Sequence, residues 1–232
     1  RKLMLVNSSY EPATDEQNAQ LDQIQALVKR YDGTALVTGE GAMTKDLIQV
    51  ADRDFRNVSV ASILAVFAIV ALVFRSASLP VILVAAIESA IMINMGIPYF
   101  QGSVIPFISS IVVGTIQLGA TIDYAILMTT RFREEVGAGH TPQRAAQIAV
   151  EQCSQSILSS GLAFFAATVG VAAISRIQLI QSLCMMISRG ALISMAVILV
   201  VFPALLILCS KVIEKTTYHW MDRDPKKEEV SL

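Results

Sequence analysis

The chain has 232 residues, 54% of them hydrophobic and 16% charged, with a formal net charge of −1. A mean hydropathy of +0.59 excludes an ordinary soluble domain, in which about a quarter of residues carry charge, and the near-neutral balance argues neither for nucleic acid nor for an acidic surface partner. Three cysteines, Cys153, Cys184 and Cys209, are odd in number and at least two lie at or within predicted spans, so they imply no disulfide framework.

The chain opens at Arg1 without an initiator Met or a leader-like segment, and residues 3–6 read as a strand already under way, as in the later part of a longer polypeptide. Residues 15–31 carry Leu21, Ile24, Leu27 and Val28 at helical spacing behind acidic residues. A second short strand is expected over 34–38. Gly39 and Gly41 then punctuate the chain, and Thr44 is placed to cap a helix running towards Asn57. Residues 1–56 are therefore expected to be part of a small α+β domain.

From residue 57 the character changes. Apolar runs at about 58–74, 79–97, 104–130, 157–174 and 190–208 are each near the roughly 20 residues a helical span needs. They predict an all-α membrane bundle of five helices over 57–210. Only Arg75, Ser76, Ala77 and Ser78 separate the first two runs, which makes these antiparallel neighbours. Thr141 and Pro142 open an exposed helix at about 141–153. Arg75, Arg131, Arg133, Arg144, Lys211 and Lys215 collect at one end of the bundle, and the opposite end has only Arg176 and Arg189 around its longer loop. The bias places 141–153 and a tail at 211–232 in the cytoplasm and residues 1–56 outside, in a multi-pass protein of the cell membrane. Tyr218, His219 and Trp220 read as an aromatic interface anchor.

Asp123 lies inside the third run, where the cost of a carboxylate makes it a functional hypothesis by default. A wheel at about 100° per residue puts Ser109, Val112, Ile116, Gly119, Asp123, Leu127 and Thr130 on one side, and Ser110, Gly114, Gln117 and Thr121 on the other. Small or polar residues on both sides predict a central helix with a buried acid. Gly119, one turn from Asp123, leaves room beside it, and Tyr124 is an adjacent hydroxyl that donates or accepts. The reading is a proton relay; the alternative is an Asp neutralised by a basic partner, which must come from outside these runs because none has a Lys or Arg at mid-depth. Glu88, near the middle of the second run with Asn94 beyond it, is a second intramembrane acid. It is read either as a relay acid or as a protonated Glu bonded between helices.

Gly119-x-x-x-Asp123-Tyr124 followed by Arg131-Phe132-Arg133-Glu134-Glu135 resembles the signature of the MMPL group of the RND (resistance-nodulation-division) transporters. Arg189-Gly190-Ala191-Leu192-Ile193-Ser194 with Pro203-Ala204-Leu205-Leu206 is similar to the last helix of a family half, and Arg75-Ser76 to its short cytoplasmic turn. The resemblance covers the whole chain and implies an extracytoplasmic porter-type piece followed by five helices of the C-terminal half. It further implies proton-driven export of lipids or other hydrophobic or amphipathic molecules. Asp123 and Tyr124 would carry protons beside a matching pair from the other half. No metal or cofactor is expected; the implied partners are membrane lipids, the substrate and the other half. A non-transporting lipid sensor or scaffold of the same architecture is the competing reading. An intramembrane aspartyl protease fails on the need for two facing acids, since Asp123 is the only Asp in the runs, so the chain is not expected to be an enzyme.

Overall fold

The computed structural model describes residues 3–10, 14–102 and 107–216. The chain divides into two compact units, Arg1–Arg56 and Asn57–Leu232.

In the first unit, α1 (Asp15–Tyr31) starts where Thr14 Oγ1 accepts from Gln17 N at 3.3 Å, with Asp15 and Glu16 in its first turn and Lys29 and Arg30 in its last. Both sets of charges suit the helix dipole. Lys45, from the start of α2 (Glu40–Phe74), reaches back to α1, donating to Asn18 O at 3.0 Å and pairing with Asp22. Neither expected strand forms: among the described residues there is no β-strand, and 3–6 and 34–38 run as irregular backbone with Leu3, Met4, Leu5 and Leu36 exposed. A strand is a paired state, and these two segments have no ladder partner among the described residues. Thr44 lies inside α2, which begins at Glu40, five residues before the first turn that a Thr44 cap would start.

The second unit is helical. Among the described residues five helices are long and apolar enough to cross a membrane: α2, α3 (Ser78–Phe100), α4 (Phe107–Gly137), α5 (Pro142–Ile174) and the run Gln178–Leu208. The last of these comprises α6 (Gln178–Ala196), a π-turn (Val197–Val201) and α7 (Phe202–Leu208), and α8 (Ser210–Thr216) comes after it. The π-turn precedes Pro203, whose ring and missing N–H disrupt a regular α-ladder. Several helices exceed the expected runs. At about 1.5 Å per residue α4 is about 46 Å long, against a hydrocarbon core of about 30 Å, so its Arg131–Glu135 end projects beyond the apolar layer. The expected exposed helix at 141–153 and the fourth run are one continuous helix, α5, because no Gly or Pro interrupts the polar stretch between them. Thr141 caps it, its Oγ1 accepting from Arg144 N at 3.4 Å.

Helix α6 packs chiefly on α5, α4 and α3. Small residues permit the close approach, as at Gly161 of α5, where Met195 of α6 occupies the space a side chain would take. The core runs through Leu79, Leu83, Ile87, Met128, Phe132, Ile157, Ile198 and Phe202. Of α2, Val70 and Phe74 reach this core, whereas Leu64, Ile69, Leu72 and Val73 stay exposed. The start of the third run at 104–106, the anchor Tyr218, His219 and Trp220, and the tail beyond 216 lie outside the described residues.

Candidate functional site

Helix α4 presents two different faces. Val113, Gln117, Leu118, Thr121, Ala125, Met128 and Phe132 are buried against the neighbouring helices, while Ile116, Gly119, Asp123, Leu127 and Thr130 form an exposed strip. The expectation of a buried acid is corrected: within this bundle Asp123 faces outward, and it has no hydrogen-bond or ion-pair partner among the described residues. Polar residues on two sides do make α4 a well-contacted helix. They do not make both sides inward. Gly119 likewise has open space where a Cβ would stand.

Tyr124, one residue and about 100° further round, turns inward. Its hydroxyl donates to Ser160 Oγ of α5 at 3.2 Å, and its side chain lines a small cleft with Gln117, Thr121, Phe164, Ala191 and Ser194. The structure therefore separates the pair, the acid on the open strip and the phenol in the seam of α4, α5 and α6. Glu88 is half-buried on α3 with no polar partner among the described residues, and nothing joins it to Asp123.

Above Tyr124 lies a polar cluster that sequence reasoning missed. Asn94 of α3 is fully buried and its Nδ2 donates to Gln117 Oε1 of α4 at 2.9 Å and to Met186 O of α6 at 3.1 Å. Gln117 Nε2 donates to Ser194 Oγ of α6 at 2.9 Å. Arg189 of α6 closes the array, its Nε donating to Asn94 Oδ1 at 2.9 Å and its Nη2 to Asn94 O at 3.0 Å. The second bond has a local cause. Pro98 lies inside α3 and lacks the N–H that would bond Asn94 O four residues back, so the guanidinium fills the vacated position.

Arg189 thus corrects a second expectation. The apolar runs put it in a loop and leave the spans without a base; α6 begins at Gln178, so Arg189 sits inside a membrane-length helix. A charge flanking an apolar run reads as its boundary, and the signal against that reading is Pro98 four residues after Asn94. Gly190 completes the arrangement, because a Cβ there would lie 2.6 Å from both Asn94 Nδ2 and Gln117 Oε1.

Comparison with known proteins decides the family, since the MMPL family model matches residues 2–229. The chain belongs to the MMPL family. Among its relatives are the acyltrehalose exporter MmpL10 of Mycobacterium tuberculosis, 28% identical over 70% of this chain and 16% of that protein, and the siderophore exporter MmpL5 of the same organism, 24% identical over 84% and 21%. The mycolic acid-containing lipids exporter MmpL11 of Mycolicibacterium smegmatis is 28% identical over 81% of this chain and 20% of its own length. The chain thus spans about a fifth of these MMPL relatives or less, with five membrane-length helices among its described residues.

Proposed function

We propose that this chain is part of one half of a proton-driven MMPL exporter of lipids or other hydrophobic or amphipathic molecules, in which Asp123 and Tyr124 carry protons. The observation that carries the reading is the strip of α4. It sets a carboxylate beside a glycine on a face that the other four membrane-length helices leave open, and a bare acid in hydrocarbon is tolerated only with a partner or a task. The complementary face, in this reading, belongs to the other half of the transporter. Lipid and siderophore export in the relatives supports the substrate class. The charge distribution supports a cytoplasmic Arg131–Glu135 end and an extracytoplasmic first unit, in the cell membrane. In this reading Asp123 takes up a proton on one side and releases it on the other, driven by about 2.3 kcal/mol per charge for each 100 mV.

Efflux of a lipophilic dye by the full-length parent protein, in vesicles with an imposed pH gradient, tests this. Asp123→Asn should abolish efflux at equal expression. Unchanged efflux would return the acid to a structural role and favour the lipid-sensing or scaffold reading.

A further inference from the structure

Arg189 has only donors to offer, and that fixes the direction of every hydrogen bond behind it. Because its Nε donates to Asn94 Oδ1, Asn94 turns its amide nitrogen towards Gln117 and Met186 O. Gln117, accepting with its oxygen, must point its own nitrogen at Ser194. The chain ends there: Ser194 is 1% exposed, its oxygen accepts, and its proton has no acceptor among the described residues. Other helix hydroxyls behave differently. Thr115, Thr121, Thr129 and Thr168 each return their proton to a carbonyl four residues back. Ser194 lines the cleft that also holds Tyr124, whose oxygen, donating to Ser160, keeps its capacity to accept.

We propose that Ser194 is a further working residue of the relay, a hydroxyl donor held at the cleft by Arg189, Asn94 and Gln117 that stabilises the Tyr124 oxygen as the tyrosine gives up its proton. This rests on the reading of Asp123 and Tyr124 as the proton carriers. The proton leaves Tyr124 Oη for a carboxylate that the other half of the transporter brings to the cleft, since no acid of this chain lines it among the described residues, and the bonding pair remains on the phenolic oxygen. Ser194 keeps its own proton and shares it as a hydrogen bond, directly or through a water, since the cleft has room for about one. Arg189, Asn94 and Gln117 are positioning residues that act through Ser194. Ser194 is itself buried, so this fixed donor is already oriented when charge develops.

Two substitutions in the full-length parent protein remove the donor by different routes. Ser194→Ala deletes it. Gln117→Glu keeps the shape and still accepts from Asn94, but its second oxygen takes the serine proton away from the cleft. Both variants should fold with wild-type yield and monodispersity. Each should lower maximal dye efflux per molecule roughly ten- to a hundredfold while the half-saturating dye concentration stays put. A merely structural network would instead lower yield and leave efflux per folded molecule unchanged, and that result in Ser194→Ala overturns the proposal; this variant decides alone where Gln117→Glu does not fold. Asp123→Asn, run alongside, separates the two ideas. Efflux surviving in Asp123→Asn sinks the relay itself, whereas efflux lost there but normal in Ser194→Ala sinks the role of Ser194 alone.

Discussion

Gly190 lacks a side chain because two amides occupy the space. Gly190→Ala forces a methyl against Asn94 Nδ2 and Gln117 Oε1, and with helices on both sides the amides separate rather than shift together. Overpacking and a broken buried hydrogen bond each cost about 1–3 kcal/mol, so we expect about 2–6 kcal/mol of lost stability, read from denaturation in detergent. Gly119→Ala is the control: nothing lies within 4 Å of its added methyl, and the isolated chain should tolerate it. A second prediction at this scale concerns Asp32, in the turn after α1. Its Oδ1 accepts from Thr34 N at 2.9 Å and from Thr34 Oγ1 at 2.7 Å, and these bonds hold its carboxyl below the usual carboxylate range. A depressed folded value means the contribution to stability is present above the unfolded-state value and is lost as pH falls through the folded one. In an NMR titration Thr34→Ala, which removes the hydroxyl bond and keeps the backbone one, should move the Asp32 midpoint upward; an unmoved midpoint would remove the hydroxyl bond as its cause.

At the scale of the helix, Pro98 and Arg189 are two parts of one device. Proline removes a ladder bond from α3, and the arginine of α6 replaces it across the interface. Pro98→Ala restores an N–H that competes for Asn94 O, so Arg189 should matter less in that background. In a double-mutant cycle of Pro98→Ala with Arg189→Lys, we expect the penalty of the arginine change to shrink by about 1 kcal/mol; additive penalties would show that the proline does not create the site. Lysine is the informative replacement because it keeps the charge but cannot span Oδ1 and O with one planar fork. This pairing also shows where sequence reading stops. Apolar runs revealed the membrane helices because twenty apolar residues have few other fates, yet the runs ended too early wherever polar residues continued a helix, as in α5 and at the start of α6. The strands expected at 3–6 and 34–38 failed for the opposite reason: strand-like composition does not supply a partner. Asp123 and Tyr124 were visible as residue types in an improbable place. Their opposite orientations were not, and neither was Asn94 with Arg189, 95 residues apart in sequence, because that contact is tertiary.

At the scale of the molecule, the open strip of α4 is the surface that fits lipid least well. Lipid tails accept Ile116 and Leu127, but Asp123 and the notch at Gly119 suit packed protein better than acyl chains. If the other half of the transporter covers this face, a methyl at Gly119 that is harmless to the isolated chain meets a neighbouring helix in the full-length parent. Gly119→Ala should then lower dye efflux there by roughly tenfold, in line with the roughly 1–3 kcal/mol of overpacking. A reporter one turn beyond Asp123 gives an independent reading. Leu127 is 41% exposed, so in a background whose native cysteines are all replaced, Leu127→Cys should react readily with a membrane-permeant maleimide in the isolated chain and at least tenfold more slowly in the full-length protein. Equal rates would mean that the strip faces lipid in both, and the acid would then need a partner that is not another helix. Protection at Leu127 combined with loss of efflux in Gly119→Ala would instead tie the exposed carboxylate to an interface with a second set of helices, which supplies the partner or the task that a carboxylate in hydrocarbon needs.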